Sequence, residues 1–361
     1  MSQNDTNASV INRQNNSSSE NDSYSSVAFG IVTIPIVIVG FIGCILFLFV
    51  LYKDTKQRHS VRACFLNLCL SSLFFCIFSG PFQILTYITQ DRNFLADPAN
   101  DFWCQFSAFT NVALIYVVVL CHAAIAVNRY CVIIFYKRVR ILKSKILLSI
   151  LLVSPWFITI VIYIFPLFHL GASYGFGGNP VYKCSFQKRE KAFLMASRAI
   201  TTGSAVILIC ASYLAIWVKV TMNSRRPNCV GIDCIPPAAP KTLRQINKEV
   251  RVAKSTFITC LVFIIFFLPS TVQAFVIKNP ANLQLVPGLT LILMQQIGIA
   301  ISPWLPILLS ESWRNMLRLK LFTSGKQSST VGTAPIFLLN HKPTASSDQF
   351  KKTGIIEAPG S

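Results

Sequence analysis

The sequence predicts an all-α protein: a seven-transmembrane helix bundle with a short amphipathic helix on the inner leaflet. Three observations lead to this prediction. Hydrophobic residues make up 53% of the chain and charged residues only 13%, with 28 Phe, which is not the composition of a soluble domain. Seven apolar stretches are long enough to cross a bilayer, where a helix satisfies its own backbone N–H and C=O groups. Lys and Arg concentrate in alternate connections between these stretches.

The predicted spans follow closely along the chain, so one membrane domain, 27–310, takes up most of its 361 residues. The spans are 27–52, 64–89, 102–135, 145–168, 191–220, 251–277 and 285–310. The connection 221–250 is predicted to be irregular because it contains several Pro residues, among them Pro240. The amphipathic helix covers 311–322, with Trp313 and Met316 facing apolar surroundings and Arg314 facing water. A polar arm at 1–26 and a tail at 323–361 are expected to be disordered.

The distribution of basic residues predicts the orientation, since Lys and Arg in short connections are retained on the cytoplasmic side. The connections 52–63, 136–145 and 219–254 are rich in them, which places the N-terminus outside the cell. The arm also holds glycosylation sequences at Asn4, Asn7, Asn15, Asn16 and Asn21, although such matches also arise by chance in a Ser/Asn-rich arm. The net charge of +20 then belongs to the inner face and favours anionic lipid head groups, while nucleic acid is not implied.

The chain has 12 cysteines, and most of them lie inside apolar spans, where Cys behaves as a small hydrophobic residue. Cys104, at the outer start of the third span, and Cys184, in the 169–191 loop, form the pair that faces the oxidising side. We therefore expect a disulfide between Cys104 and Cys184. It would pin the 169–191 loop across the mouth of the bundle.

Several short motifs stand at characteristic places in the spans. They are Asn67-Leu68, Pro81, Asn128-Arg129-Tyr130, Trp156, Pro166, Tyr213, Phe263, Leu268-Pro269, Ser302-Pro303 and Trp313-Arg314. On these residues the chain resembles the rhodopsin-like class of G-protein-coupled receptors over roughly 27–320. Asn-Arg-Tyr-Cys at 128–131 and Cys184-Ser185-Phe186 are similar to the subgroup of melatonin receptors and the invertebrate moody and trapped-in-endoderm receptors.

The resemblance implies a plasma-membrane receptor that passes the signal of an extracellular ligand to a heterotrimeric G protein by outward movement of the sixth helix. The switch and coupling residues that it implies are Asn128, Arg129, Tyr130, Tyr213, Glu249, Pro269 and Pro303. Glu249 is placed to pair with Arg129 as a latch between the third and sixth helices, and the alternative is that both are ordinary charges at helix ends. Arrestin and a receptor kinase are further partners implied for the Ser/Thr-containing tail, and no cofactor or metal is expected.

Departures from the class pattern lie in its transmission core. Ser72 replaces the Asp that forms the buried sodium site of the class, so sodium control is not expected. Asn111 replaces the Asp of aminergic receptors, which argues against a biogenic amine ligand. In the seventh span, Pro306 replaces a Tyr and leaves Tyr213 without its usual partner. Phe267 stands where the class carries Trp.

Polar and aromatic residues in the outer halves of the helices form the predicted ligand site. They are Gln83, Asn111, Tyr116, Arg198, Phe267, Gln295 and Gln296. Arg198 predicts an anionic group on the ligand, because a charge inside the membrane is costly; the alternative is that it extends outward to the lipid head groups. Gln83, Gln295 and Gln296 are equally consistent with hydrogen bonds between helices.

Other function classes find less support in the sequence. A membrane transporter would be expected to show paired charges inside the helices or internal repeats, and neither is evident. The sequence lacks Gly-x-Ser-x-Gly and His-Glu-x-x-His motifs, so no enzyme is predicted. A non-signalling or scavenging receptor is the serious alternative, because the replaced residues are parts of the transmission core.

Overall fold

The computed structural model describes residues 3–54, 59–89, 101–134, 145–178, 182–224, 240–276, 285–311 and 313–317. All of them belong to one unit, Met1–Leu317, whereas the unit Arg318–Ser361, with the predicted tail, lies outside the described residues. The side chains of 3–26 and 240–251 are also outside the description. The predicted glycosylation sites Asn4, Asn7, Asn15, Asn16 and Asn21 and the predicted latch residue Glu249 are therefore placed by their backbone alone.

Helices cover all seven predicted spans, and two of the spans contain a π-helical turn. The first span lies in α1 (Gln3–Lys53), and the second comprises α2 (His59–Phe74), a π-helical turn (Phe75–Ser79) and α3 (Gly80–Thr89). The third is α4 (Asp101–Ile134), and the fourth is α5 (Lys145–Ile164) followed by a 3-10 turn (Phe165–Phe168). The fifth comprises α6 (Lys191–Arg198), a π-helical turn (Ala199–Gly203) and α7 (Ser204–Ser224). The sixth is α8 (Pro240–Val276), and the seventh comprises α9 (Leu285–Ile301) and α10 (Trp304–Leu309).

By length and composition, six helices in the described part of the chain are apolar enough to cross a membrane, and Leu289–Ile301 is a shorter apolar helix at the seventh predicted span. Large apolar side chains cover the outside of the bundle; Phe157 is 65% exposed and Ile207 is 68% exposed. Such a surface would be unfavourable in water and matches the hydrocarbon of a bilayer.

Two helices begin earlier than the sequence predicts. Helix α1 starts at Gln3, so its backbone continues through the arm where disorder is expected, because 1–26 contains neither Pro nor Gly to end a helix. Helix α8 starts at Pro240, and the prediction of irregular backbone is therefore wrong for 240–250. Pro is tolerated in the first turn of a helix, where its missing N–H has no intrahelical partner to lose.

The third span, α4, occupies the centre of the bundle. It contacts the second, fourth, fifth and sixth spans, while the first span packs against the second and the seventh. The side chains of Val117, Val118, Cys121 and Ala126 in α4 are at most 1% exposed. Helices around one central helix thus form a continuous apolar core.

The first and seventh spans approach closely where Gly43 faces Trp304. A Cβ atom at Gly43 would lie 2.7 Å from Cδ1 and 2.8 Å from Cε2 of the Trp304 indole. The indole N–H donates a hydrogen bond of 3.1 Å to the Val39 carbonyl of α1. Because Gly43 has no side chain, the Trp304 indole can pack against α1 and donate its hydrogen bond to Val39.

The loop between the fourth and fifth spans forms a hairpin that the sequence does not predict. Strands β1 (Ala172–Gly178) and β2 (Tyr182–Arg189) pair antiparallel. The predicted disulfide is confirmed: Cys184 in β2 is bonded to Cys104 in α4, with the two Cα atoms 5.2 Å apart. We call this end of the bundle the hairpin end and the opposite one the Arg129 end.

The hairpin is also fastened to the fourth span by Tyr174 of β1. Its hydroxyl donates a 3.0 Å hydrogen bond to the Tyr163 carbonyl, and its ring packs on Phe186 with centroids 4.9 Å apart. Burial raises the pKa of the Tyr174 hydroxyl far above its ordinary value, so it stays protonated and keeps donating this bond. The hairpin is thus held at two points over the bundle.

Candidate functional site

A polar cluster of Ser79, Gln83, Asn111 and Gln296 lies in the half of the bundle nearer the hairpin end. The Ser79 hydroxyl donates to Asn111 Oδ1 at 2.8 Å, and Gln83 Nε2 donates to Ser79 Oγ at 3.2 Å. Gln83 Nε2 also donates to Asn111 Oδ1, and Gln296 Nε2 donates to Gln83 Oε1. The structure thus brings together three of the predicted ligand residues and joins the second, third and seventh spans through them.

An aromatic row crosses the interior next to this cluster. Tyr116 of the third span stacks on Tyr163 of the fourth, with centroids 4.9 Å apart, and meets Phe267 of the sixth edge-on at 6.3 Å. Phe267 stacks on Phe263 at 5.3 Å, and Phe263 stacks on His122 at 4.0 Å. The predicted residues Tyr116 and Phe267 therefore belong to one row that leads from the hairpin end towards the middle of the bundle.

Arg198 ends α6, and the π-helical turn of the fifth span follows it. Its Nη1 atom is buried and has no hydrogen-bond partner among the described residues, and the same holds for Oγ1 of Thr202 in the turn. Arg198 is not part of the Gln83 cluster. Gln295, the remaining predicted ligand residue, is half-buried beside Gln296.

His122 is a buried residue that sequence reasoning left without a role. It is 0% exposed, and its Nδ1 atom lies 2.8 Å from the Val118 carbonyl. A carbonyl only accepts, so Nδ1 carries the hydrogen and Nε2 accepts from the Ser302 hydroxyl at 2.9 Å. Two features of the sequence could have indicated this bond: the single His within the spans, and the Ser beside Pro303.

At the Arg129 end, Arg129 is 1% exposed and its guanidinium carbon lies 5.7 Å from the centre of the Phe65 ring. Asn128 is buried as well, and Tyr130 is half-buried. The contact with Glu249 stays a prediction, because that side chain lies outside the described residues. Pro269 lies within the continuous helix α8, and Pro303 lies in the turn between α9 and α10.

Tyr213 has a partner that the sequence did not indicate. Its hydroxyl lies 3.9 Å from the Cys260 sulfur of the sixth span. That sulfur lies 3.9 Å from the His122 carbonyl of the third span. Cys260 therefore connects the fifth, sixth and third spans.

Trp313, which is predicted to face apolar surroundings, packs into the interior of the bundle. The side chain is 2% exposed and enters the bundle, where its ring lies edge-on to Phe47 at 5.6 Å and to Phe65 at 5.7 Å. The indole N–H donates a 2.6 Å hydrogen bond to Asp54 Oδ2 at the end of the first span. Trp313 faces inward because an indole N–H needs an acceptor, and a buried carboxylate provides one.

Asn67 joins the second span to the fourth. Its Nδ2 donates to the Leu152 carbonyl at 3.0 Å, and its Oδ1 accepts from the Trp156 indole at 2.9 Å. Asn67 and Trp156 are two of the motif residues, and the structure shows them as one contact. In the described part of the chain, no cluster of His, Cys, Asp and Glu could hold a metal ion.

Comparison with known proteins identifies relatives of this arrangement. The family described as 7 transmembrane receptor (rhodopsin family) matches residues 19–303. The G-protein coupled receptor moody of Drosophila pseudoobscura pseudoobscura is 24% identical over 199 residues, which are 55% of this chain and 28% of that protein. Lysophosphatidic acid receptor 6 of Homo sapiens is 22% identical over 255 residues, which are 70% of this chain and 69% of that protein. The match thus spans less than a third of the moody receptor.

A solved structure has the same fold. The crystal structure of squid rhodopsin aligns with a TM-score of 0.68 at 16% identity, covering 86% of this chain and 89% of that chain. At this identity the similarity concerns the fold alone.

Proposed function

The chain belongs to the rhodopsin family of seven-transmembrane receptors, and we propose that it transmits the binding of an extracellular ligand to a heterotrimeric G protein. The family is one of multi-pass plasma-membrane receptors and not of enzymes. In the proposed orientation the N-terminus and the hairpin end face outward, and the basic connections face inward. The disulfide between Cys104 and Cys184 supports this orientation, because disulfides persist on the oxidising side.

The observation that carries the proposal is the burial of Arg129, which is 1% exposed at the inner end of the central span. A permanent cation held there against an aromatic ring is suited to a switch, because a small change in packing would expose or cover it. Outward movement of the sixth helix about Pro269 would open a groove beside Arg129 for a helix of the G protein. The Tyr213 contact with Cys260 is one bond that this movement would break or rearrange.

A comparison of wild type with Arg129→Ala in intact cells tests the proposal. We expect the wild-type receptor to activate a promiscuous α subunit above the level of cells without receptor, and Arg129→Ala to abolish that activation. Arg314→Ala is the matched control, since Arg314 is an exposed arginine at the same end. Both variants must reach the cell surface in amounts equal to wild type. Equal activation by wild type and Arg129→Ala would contradict the role of Arg129.

A scavenging receptor that does not signal is the second candidate. Pro306 favours it, because the class Tyr is absent from that position and the seventh span is divided at Ser302 and Pro303. Ligand uptake without G-protein activation, unchanged in Arg129→Ala, would support this candidate.

For the ligand, we propose an anionic amphiphile bound in the hairpin-end half of the bundle. Arg198 supports the negative charge, and similarity to lysophosphatidic acid receptor 6 supports an acidic lipid. Asn111 is engaged by Ser79 and Gln83 and brings no carboxylate for an amine. The predicted site of Gln83, Asn111, Tyr116, Arg198, Phe267, Gln295 and Gln296 remains the proposed pocket, with Gln83, Asn111 and Gln296 acting mainly as its framework.

Glycans and three further partners are proposed from the sequence alone. Glycans on the five Asn residues of the arm, arrestin and a receptor kinase at the 323–361 tail, and anionic lipids at the basic connections fit the proposed orientation. A shift in electrophoretic mobility after glycosidase treatment would test the glycans.

A further inference from the structure

The seven predicted spans contain no acidic residue. The chain has 13 Asp and Glu residues, and all of them lie in the arm, the connections, the amphipathic helix or the tail. Arg198 nevertheless lies about two turns inside the fifth span from its start at Lys191. Burying a cation without a counter-charge is unfavourable. An anion that is not a side chain of the spans would supply that charge.

The position of the Arg198 side chain argues against its extension into the lipid. Its Nη1 atom is buried by protein atoms and has no hydrogen-bond partner within the described ranges. A guanidinium that extends to the head groups would instead place its nitrogens on the outside of the bundle. Arg198 is half-buried as a residue, and its Nη1 atom is a buried donor without a partner in the described part of the chain.

Thr202 provides a second, independent donor on the same face. It is 5% exposed, and its Oγ1 atom also lacks a partner in the described part of the chain. The preceding residue behaves differently: the Thr201 hydroxyl donates to the Ser197 carbonyl at 2.7 Å and lies 3.5 Å from the Tyr163 hydroxyl. The Thr201 hydroxyl is thus hydrogen-bonded within the protein, whereas the Thr202 hydroxyl has no hydrogen-bond partner among the described residues.

The π-helical turn Ala199–Gly203 follows Arg198 directly and contains Thr202. Its wider winding rotates the residues after Arg198 relative to a regular helix, and residues four apart remain neighbours on one face. Arg198 and Thr202 are such a pair. Wide turns of this kind occur often at functional sites, where they direct side chains that a regular helix would place elsewhere.

An apolar wall borders the same turn. Tyr163, which contacts Thr201, stacks on Tyr116, and the hairpin strand β1 is bonded to the Tyr163 carbonyl through Tyr174. Through Thr201, the stacked rings of Tyr163 and Tyr116 border the turn that follows Arg198 and contains Thr202. A cation and an open hydroxyl at a turn bordered by aromatic rings suit a ligand with an acidic head and an apolar body.

We propose that Arg198 and Thr202 form an anion subsite that binds the phosphate or carboxylate head of an amphiphile. The proposal rests on the receptor function proposed above and specifies its ligand site. Two N–H groups of Arg198 donate to two oxygens of the anion, and the Thr202 hydroxyl donates to one of them. The apolar body lies along Tyr116 and Tyr163.

The test uses the full-length receptor in nanodiscs of neutral phosphatidylcholine, without G protein. The probes are oleoyl lysophosphatidic acid, oleate and neutral monooleoylglycerol, and the readouts are competition binding and the shift in melting temperature. We expect at least one of the two acids to bind wild type about tenfold or more tightly than the neutral glyceride. Arg198→Gln should remove this preference, Arg198→Lys should keep part of it, and Thr202→Val should weaken acid binding about tenfold.

Matched controls separate the subsite from general damage. Thr221→Val changes a threonine of the same span whose hydroxyl is bonded to the Trp217 carbonyl at 2.9 Å, and Arg314→Gln changes an exposed arginine; neither should alter acid binding. Binding is measured without G protein, so loss of the acid preference in Arg198→Gln reports on the subsite, whereas loss of G-protein activation in Arg129→Ala reports on the proposed signalling, and the two failures are distinguishable. Melting temperatures without probe show whether each variant is folded.

The outcomes decide the proposal. Failure of both acids to bind wild type, equal binding of acid and glyceride, or equal acid binding by wild type and Arg198→Gln would each overturn it. Nanodiscs with phosphatidylserine distinguish the source of the anion. If phosphatidylserine displaces the acids from wild type, the subsite takes its anion from the bilayer. If it does not displace them, the anion belongs to a free amphiphile.

Discussion

The hydroxyl of Ser302 donates a 2.9 Å hydrogen bond to Nε2 of His122, and both residues are at most 1% exposed. The bond joins the central span to the seventh at the turn before Pro303. His122 also stacks on Phe263 of the sixth span. A single imidazole therefore contacts the parts of three spans that meet in the middle of the bundle.

Removal of the Ser302 hydroxyl should destabilise the receptor. Ser302→Ala leaves the Nε2 acceptor of His122 buried, and we expect a loss of about 1–3 kcal/mol in the free energy of unfolding. His122→Leu together with Ser302→Ala removes both polar groups, and the double variant should be more stable than the sum of the single losses predicts. Thermal unfolding in nanodiscs measures the effect. Additive losses would show that the two groups do not interact.

Trp313 should contribute more to stability than a residue on the membrane surface would. Trp313→Ala removes a buried indole, and we expect a loss of about 3–5 kcal/mol. Trp313→Phe keeps the ring packing on Phe47 and Phe65 but removes the donor to Asp54, so its loss should be smaller. Leu308→Ala, at a side chain that is 53% exposed, is the control and should change stability little. Equal melting temperatures of wild type and Trp313→Ala would refute the inward position.

The disulfide should stabilise the hairpin end. We expect Cys104→Ser to lower the free energy of unfolding by about 2–4 kcal/mol. The double variant with Cys184→Ser should lose no more than either single variant, since both changes break the same bond. Cys210→Ser is the control, because Cys210 is an exposed free cysteine of the fifth span. If the double variant lost twice as much free energy of unfolding as either single variant, the two cysteines could not share one disulfide.

The Gln83 cluster should act as a connection between helices. Gln83→Leu removes the bonds to Ser79, Asn111 and Gln296, and we expect it to cost about 1–3 kcal/mol. Gln295→Leu is the matched control outside the cluster, and its cost should be lower. If Gln83→Leu instead left stability unchanged and lowered ligand affinity, direct ligand binding by Gln83 would be favoured.

Hydropathy and charge were sufficient to predict the spans and the pairing of Cys104 with Cys184. These features depend on how much apolar surface a segment carries and on which residue types face one side. Arg129 and the polar positions 83, 111 and 296 lie inside the bundle, and their roles in coupling and ligand binding stay predictions. The sequence could not decide whether those amides bond to one another. Hydropathy indicates whether a side chain is buried, but not which residue it is hydrogen-bonded to.

The features that the sequence missed depend on contacts between distant segments. The π-helical turns have no local composition that distinguishes them from regular helix. The direction of Trp313 depends on an acceptor, Asp54, at the far end of the first span. The bond of His122 to Ser302 required the fold, since each residue alone is equally consistent with simple burial.

The contact of Gly43 with Trp304 has a consequence for the evolution of this receptor. The indole fills the space that any side chain at position 43 would need, so position 43 cannot take a larger residue while Trp304 is retained. Homologues with a larger residue at 43 should carry a smaller one at 304, and the two positions should therefore covary as the sequences diverge.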